Sequence, residues 1–114
     1  MNLQKLIDEL ALEVVTGHTG TDREVTIGYA SDLLSDVMAH AKPGALWVTL
    51  QIHQNIIAVA TIKELAAIII VQGREIEKET LEKARAEGMC LLRTALSTFN
   101  IVGKLYTRGI VGSS

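Results

Sequence analysis

Residues 45–71 constrain the fold more than any other part of the sequence. Residues 45–50 and 66–71 are apolar runs rich in β-branched side chains, which is typical of strands that are covered on both faces. Residues 55–65 lie between these runs and have the apolar content of a mostly buried helix. A strand, a helix and a second strand in this order predict a right-handed βαβ unit with parallel strands.

The rest of the chain continues the alternation of helices and strands. Apolar spacing and capping residues predict further helices over residues 2–11, 33–40, 77–87 and 98–108, further strands over residues 12–16, 24–30 and 89–93, and a loose tail at 110–114. The pattern predicts an α/β fold in which a single domain, residues 1–114, has a mostly parallel central sheet flanked by helices.

Composition excludes several classes of protein. The chain has 114 residues, a formal net charge of −2 and no apolar stretch long enough to span a bilayer, so we expect no nucleic-acid partner and no membrane partner. Cys90 is the only cysteine, which excludes an internal disulfide and suits a reducing compartment. Because residues 1–12 lack the unbroken apolar run of a signal peptide, we expect a cytoplasmic protein.

Polar side chains follow the predicted strands at their carboxyl ends. Open α/β sheets bind ligands at this edge, and an arginine there can hold a phosphate group. We therefore predict that a nucleotide or a small phosphorylated metabolite binds at the edge, with no separate cofactor. The alternative is that these residues only solvate surface loops. The predicted ligand-binding residues are Asp32, Gln51, His53, Asn55, Gln72, Arg74, Thr94 and Ser97.

The sequence predicts neither a catalytic residue nor a metal site. Its three histidines, His18, His40 and His53, are far apart along the chain, whereas a zinc site needs several converging ligands. Cys90 lies in an apolar run and is predicted to be a small buried hydrophobe. The competing hypothesis is a small hydrolase or phosphotransfer component that uses His53 and Asp32, and it requires these two side chains to converge in a pocket.

Two segments near the amino terminus resemble the DRTGG domain. They are Thr21-Asp22-Arg23-Glu24-Val25 and Gly28-Tyr29-Ala30-Ser31-Asp32-Leu33-Leu34-Ser35-Asp36. The resemblance continues through residues 66–97 and so covers nearly the whole chain. In that family the domain stands beside CBS domains or within larger enzymes. The resemblance therefore implies a regulatory or dimerising module rather than a catalyst.

Residues 32–48, which contain the turn Lys42-Pro43-Gly44, are more distantly similar to the amino-terminal domain of Mur ligases. The amino-terminal domain of HPr kinase resembles these domains too. The similarity implies the same α/β fold. In the Mur ligases that domain holds a uridine nucleotide and does no chemistry, so the similarity also implies a nucleotide as the ligand.

Size and hydropathy favour self-association. The chain is small, its mean hydropathy is positive, and an open sheet of this kind has uncovered edges. Candidate side chains for a shared surface are Trp47, Tyr29, Tyr106 and Met38. We therefore predict a homodimeric, non-catalytic regulatory or scaffolding module with an unknown protein partner. The remaining alternative is a pure protein–protein interaction module without a ligand.

Overall fold

The computed structural model describes residues 1–16 and 20–113, and these form one α/β domain around a five-stranded sheet. The strands lie in the order β1-β5-β4-β3-β2, with β1 antiparallel to β5 and the other neighbours parallel. The elements in chain order are α1 (Leu3–Glu9), β1 (Glu13–Thr16), β2 (Gly28–Ala30), α2 (Leu34–His40), β3 (Leu46–Thr49), α3 (Asn55–Ile62), β4 (Ala67–Ile70), α4 (Lys78–Glu87), β5 (Leu91–Arg93) and α5 (Thr98–Thr107).

The predicted βαβ unit is confirmed as β3, α3 and β4. The two strands are parallel, and their register runs from Leu46 opposite Ala67 to Thr49 opposite Ile70. Every residue of both strands is buried, as their uninterrupted apolar runs require. The confirmed order also confirms the predicted fold class, a mostly parallel sheet flanked by helices.

Alternate residues of the central strands point into two separate cores. On one face Leu46, Val48 and Ile69 pack with residues of α1 and α5. On the other face Trp47 and Ile68 pack with residues of α2, α3 and α4. The sheet is therefore covered on both sides, and polar side chains are excluded from its centre.

The strand predicted over residues 24–30 is shorter than expected. β2 begins only at Gly28, because the preceding residues pair with other segments through isolated bridges. Glu24 bridges Asn2, and the Val25 N–H donates to the Met1 carbonyl at 2.8 Å. A Cβ at Gly28 would come within 3.3 Å of Ile110 Cγ2, so the glycine allows the carboxyl-terminal segment to approach closely.

The prediction of a loose tail is wrong for its first two residues. Ile110 is buried, and Val111 forms a parallel bridge with Ile27. The Gly28 N–H donates to the Val111 carbonyl at 2.9 Å, and the Val111 N–H donates to the Thr26 carbonyl at 3.2 Å. The segment thus covers the start of the edge strand β2, a long-range pairing that local sequence does not reveal.

Trp47 was predicted as a candidate for a shared surface, and that prediction is wrong. Its side chain is fully buried, and its indole Nε1 donates to the Ser31 carbonyl at 2.9 Å. Its neighbour Tyr29 on the edge strand is half-buried. Met38 and Tyr106 are exposed, so these two remain available for contact with another molecule.

No helix in the described part of the chain is long and apolar enough to cross a membrane.

The buried strand β4 supports a prediction about stability. Ile69 is fully buried, so Ile69→Ala should lower the free energy of unfolding by about 2–5 kcal/mol through lost burial and a new cavity. Ile62→Ala is the matched control, because Ile62 is 65% exposed, and it should change the free energy by less than about 0.5 kcal/mol. Urea unfolding followed by the fluorescence of Trp47 measures both. If both variants lost the same free energy of unfolding, the burial of Ile69 in the core would be contradicted.

Candidate functional site

Asp32 ties together the carboxyl ends of β2 and β3. Its Oδ1 accepts hydrogen bonds from the Leu50 N–H at 2.8 Å and from the Thr49 hydroxyl at 3.0 Å. In return, Gln51 Nε2 donates to the Asp32 carbonyl at 2.8 Å. Two of the predicted site residues, Asp32 and Gln51, are therefore in direct contact across adjacent strand ends.

Two arginines extend these contacts towards β1. The Arg74 guanidinium donates to the Leu50 carbonyl, which joins the β4 end to the β3 end. Arg93, the last residue of β5, donates from Nη1 to the Arg74 carbonyl at 3.3 Å. Arg93 also pairs with Glu13, with its Nη2 at 2.9 Å from both carboxylate oxygens. Polar contacts thus cross the whole carboxyl edge, from β2 to β1.

An open cleft of about 570 Å³ lies at the β5–β1 end of this edge. The Gly73 N–H donates to the Thr94 carbonyl, and the Gln72 N–H donates to the Leu96 carbonyl, both at 2.8 Å. Gln72 and Gly73 have φ values of +62° and +60°, so the turn after β4 is tight and held against the loop after β5. The cleft is lined by Ala11, Glu13, Gly73, Glu75, Arg93, Thr94 and Ala95.

Two predicted site residues, His53 and Ser97, serve a local turn and a helix cap instead. His53 Nδ1 accepts from the Asn55 N–H at 3.1 Å, a local contact in the turn that precedes α3. Ser97 Oγ accepts from the Asn100 N–H at 3.2 Å and caps α5, as its position predicted. Thr94 alone among the predicted residues lines the cleft.

Sequence reasoning missed the charged residues of the cleft. The sequence predicts Arg93 only as the last residue of a strand. A charged residue that ends an apolar run marks the carboxyl end of the strand, and this was the signal that could have found it. The sequence around Glu13 and Glu75 carries no comparable sign of a site. These two residues line the same cleft because β1 pairs with β5, a contact between distant parts of the chain. No short motif records an antiparallel pairing across most of the chain.

The competing catalytic hypothesis required His53 and Asp32 to converge. Within the described part of the chain, their hydrogen bonds lead to different partners: His53 to the start of α3, and Asp32 to the end of β3. Residues 1–16 and 20–113 contain no group of three or more His, Cys, Asp or Glu that could hold a metal ion. His18 lies outside the described residues.

A second polar cluster lies on α2 beside the edge strand. The Tyr29 hydroxyl donates to Asp36 Oδ2 at 2.7 Å, and His40 Nδ1 lies 3.0 Å from Asp36 Oδ1. The hydrogen bond from Tyr29, followed by contacts with Ser31 and His40, lowers the pKa of Asp36 below its ordinary value of 3.8. The same hydrogen bond raises the pKa of Tyr29 above 10.0.

Cys90 lies just before β5 and packs with the core on the side of α1 and α5. Burial raises the pKa of its thiol to about 11. A thiol that stays protonated at neutral pH is a poor nucleophile, which agrees with the prediction of a buried hydrophobe.

No family model and no curated protein matches the sequence. The fold is similar to a crystal structure of the CBS and DRTGG domains in the regulatory region of a Clostridium perfringens pyrophosphatase, in complex with the activator diadenosine tetraphosphate. The two chains align with a TM-score of 0.74 and 16% sequence identity over 96% of this chain. This chain spans about half of the other, 47% of its length.

The fold is DRTGG-like. This agrees with the resemblance drawn from residues 21–36 and 66–97, and at this identity the likeness concerns the fold alone. The similarity to the amino-terminal domains of Mur ligases and HPr kinase stays a prediction.

The Asp36 cluster predicts an acid-sensitive contribution to stability. Folding lowers the pKa of Asp36, so the ionised carboxylate stabilises the folded state at pH values above 3.8, the ordinary pKa of the group. This stabilisation is lost as the pH falls through the lowered pKa. Asp36→Asn cannot titrate, and Tyr29→Phe removes the main hydrogen bond. When the pH is lowered from about 5 to about 2, the free energy of unfolding should therefore decrease less in both variants than in the wild type. A decline as steep as that of the wild type in both would contradict this.

The buried thiol predicts slow chemical labelling. Cys90 should react with a thiol reagent at neutral pH only as fast as the protein opens, because it is buried and protonated. An exposed cysteine introduced by Ser35→Cys on α2 provides the internal standard and should react at the rate of a free thiol. Equal rates at the two sites would show that the core around Cys90 is open.

Proposed function

We propose that this protein is a non-catalytic regulatory module that acts as a homodimer in the cytoplasm and binds a nucleotide or a small phosphorylated metabolite. The cleft beside Arg93 carries this proposal. It lies at the carboxyl edge of a parallel sheet, where α/β folds bind ligands, and its volume of about 570 Å³ suits a small molecule.

Arg93 is the residue best placed to hold a phosphate group. Its guanidinium is half-buried at the end of β5 and already forms a two-pronged pair with the Glu13 carboxylate. A phosphate presents oxygens in the same arrangement and can take the place of Glu13. Binding would then exchange a contact within the sheet for a contact with the ligand.

The same exchange explains how a ligand could act as a signal. β1 is an edge strand of the sheet, and its neighbour is β5, to which it is antiparallel. The ion pair between Arg93 and Glu13 joins these two strands. Displacing Glu13 therefore alters the attachment of β1 while the buried strands β3 and β4 remain unchanged. A change confined to the sheet edge is a means of passing information to a partner.

The comparison with known structures supports a regulatory role. The similar structure belongs to the regulatory region of an enzyme and was determined with a nucleotide activator. The hydrogen-bond partners of His53 and Asp32 give no support to the hydrolase or phosphotransfer alternative. The exposed apolar side chains of α5 favour the interaction-module alternative, because they offer a surface for another protein.

Thermal unfolding against a panel of nucleotides and phosphorylated metabolites tests the proposal. A ligand at 100 times its dissociation constant adds about 2.7 kcal/mol to the unfolding free energy. A domain of this size should then unfold at a temperature several degrees higher. The proposal expects such a shift with at least one phosphorylated compound and none with the matching nucleoside, which lacks the phosphate.

Three variants locate the site, each compared with its own ligand-free midpoint. Arg93→Gln should abolish the shift, whereas Glu13→Gln should preserve or enlarge it, because the competing carboxylate is gone. Arg108→Gln is the matched control, since Arg108 pairs with Glu9 on the surface at 3.1 Å, and it should leave the shift unchanged. A shift that survives Arg93→Gln, or no shift across the panel, would reject the cleft as the phosphate site.

A further inference from the structure

Helix α5 has two apolar stripes: one is buried in the core, and the other is largely exposed, although its Val102 packs partly against the core. Ile101 and Leu105 point into the sheet and are buried. The second stripe, Phe99, Val102, Gly103 and Tyr106, follows the i, i+3, i+4, i+7 spacing of one helix side. We call this stripe, together with Ala30 of the edge strand β2, the α5 face. A helix that is apolar on a second side usually buries that side as well.

The α5 face is an apolar surface in contact with solvent. Phe99 is 87% exposed and Tyr106 is 63% exposed, although both are large aromatic side chains. They border a shallow apolar groove of about 550 Å³ that also contains Val102, Gly103 and Ala30. Exposed aromatic side chains around a groove are characteristic of interaction surfaces.

Among the described residues, nothing packs against Gly103 on the side where a Cβ would lie. Glycine inside a helix is less stable than alanine there, so its presence usually has a specific reason. At Gly103 the added Cβ of alanine would meet nothing within 4 Å in the described part of the chain. The missing side chain therefore leaves a hollow on the surface, which allows a second backbone or side chain to approach closely.

The protrusion and the hollow of the α5 face complement each other in two copies of the chain. Phe99 and Gly103 are four residues apart, one helical turn, on the same side of α5. When two α5 helices pack antiparallel about a two-fold axis midway between these residues, Phe99 of each copy lies over Gly103 of the other. Such a self-complementary patch is what a symmetric dimer requires.

The charges around the α5 face are compatible with this pairing. The four residues of the stripe and Ala30 carry no charge, so their burial desolvates no ionic group. Arg108, the cation that follows the helix, is directed to Glu9 on α1. Antiparallel helices also place opposite ends of their dipoles together, which is favourable.

We propose that a second copy of this chain covers the α5 face, with the two α5 helices antiparallel and Phe99 of each seated on Gly103 of the other. This inference rests on the homodimer of the proposed function and names its surface. Each aromatic side chain can bury about 150–250 Å², so two per copy give a total of roughly 600–1,000 Å², which is below the roughly 1,200–2,000 Å² of stable specific interfaces. The dimer should therefore dissociate on dilution.

Sedimentation velocity of the full chain, from the low micromolar to the millimolar range, tests the interface. The wild type should shift from monomer to dimer with concentration. Phe99→Glu and Tyr106→Glu should raise the dissociation constant by about tenfold or more, because each buries a charge at the contact. Ile62→Glu is the matched control, since Ile62 on α3 is 65% exposed and lies outside the α5 face, and it should dimerise as the wild type does.

Gly103→Leu separates loss of the interface from loss of the fold. Leucine favours helix, and its side chain meets open space within its own chain, so the variant should unfold at the same temperature as the wild type or higher. It should nevertheless remain monomeric, because the hollow is filled. A wild type that is monomeric at every concentration, or a dimer that tolerates Gly103→Leu and Phe99→Glu, would overturn the proposal.

The result is independent of the ligand cleft. The cleft lies at the β1–β5 end of the sheet, and the α5 face adjoins β2 at the opposite end. Gly103→Leu should therefore keep any thermal shift that a phosphorylated ligand produces. A lost dimer with a retained shift supports both proposals, and a retained dimer with a retained shift overturns the interface alone.

Discussion

The burial of β3 and β4 on both faces is the constraint on which the rest of the structure depends. Each side chain at the centre of these strands lies in one of two apolar cores. These strands therefore carry polar side chains only at their ends. Thr49, the last residue of β3, can be fully buried because its hydroxyl donates a hydrogen bond to Asp32. What remains for ligand binding is the rim of the sheet.

That rim is held in place by hydrogen bonds, several of which are made by side chains. Asp32 joins the ends of β2 and β3, Arg74 joins those of β3 and β4, and Arg93 joins β5 to β1. Hydrogen bonds to charged groups are stronger than those between neutral groups, so a few of them fix several loops. Under our proposed function, a competing anion replaces the Glu13 carboxylate at this rim without disturbing the apolar centre.

The two ends of the sheet have different properties. At the β1–β5 end, charged side chains surround an open cleft. At the β2 end, the returning segment at Ile110 and Val111 covers part of the edge strand, and the side of α5 remains apolar and exposed. Under our two proposals, a small molecule binds at one end of the sheet and a second copy of the chain binds at the other, at separate sites.

The sequence was informative where structure depends on neighbouring residues. The runs at 45–50 and 66–71 predicted β3 and β4, and Asn2 and Ser97 were recognised as helix caps from their positions. Local patterns could not reveal that Val111 pairs with Ile27. For the same reason Arg93 and Glu13 were missed, because their contact joins residues far apart in the chain. The burial of Trp47 agrees with the run at 45–50, which predicted a strand covered on both faces, and it contradicts the placement of Trp47 on a shared surface.

Backbone amide NMR during separate titrations with ATP and UTP tests the central claim, ligand binding at the carboxyl edge, most directly. Our account predicts that one of these nucleotides shifts the amide signals of Gly73, Thr94 and Ala95 most strongly, while the indole signal of the buried Trp47 stays in place. If neither nucleotide shifts these amides, or if the largest shifts lie on α2 or α4, the strand-end cleft is not the nucleotide site.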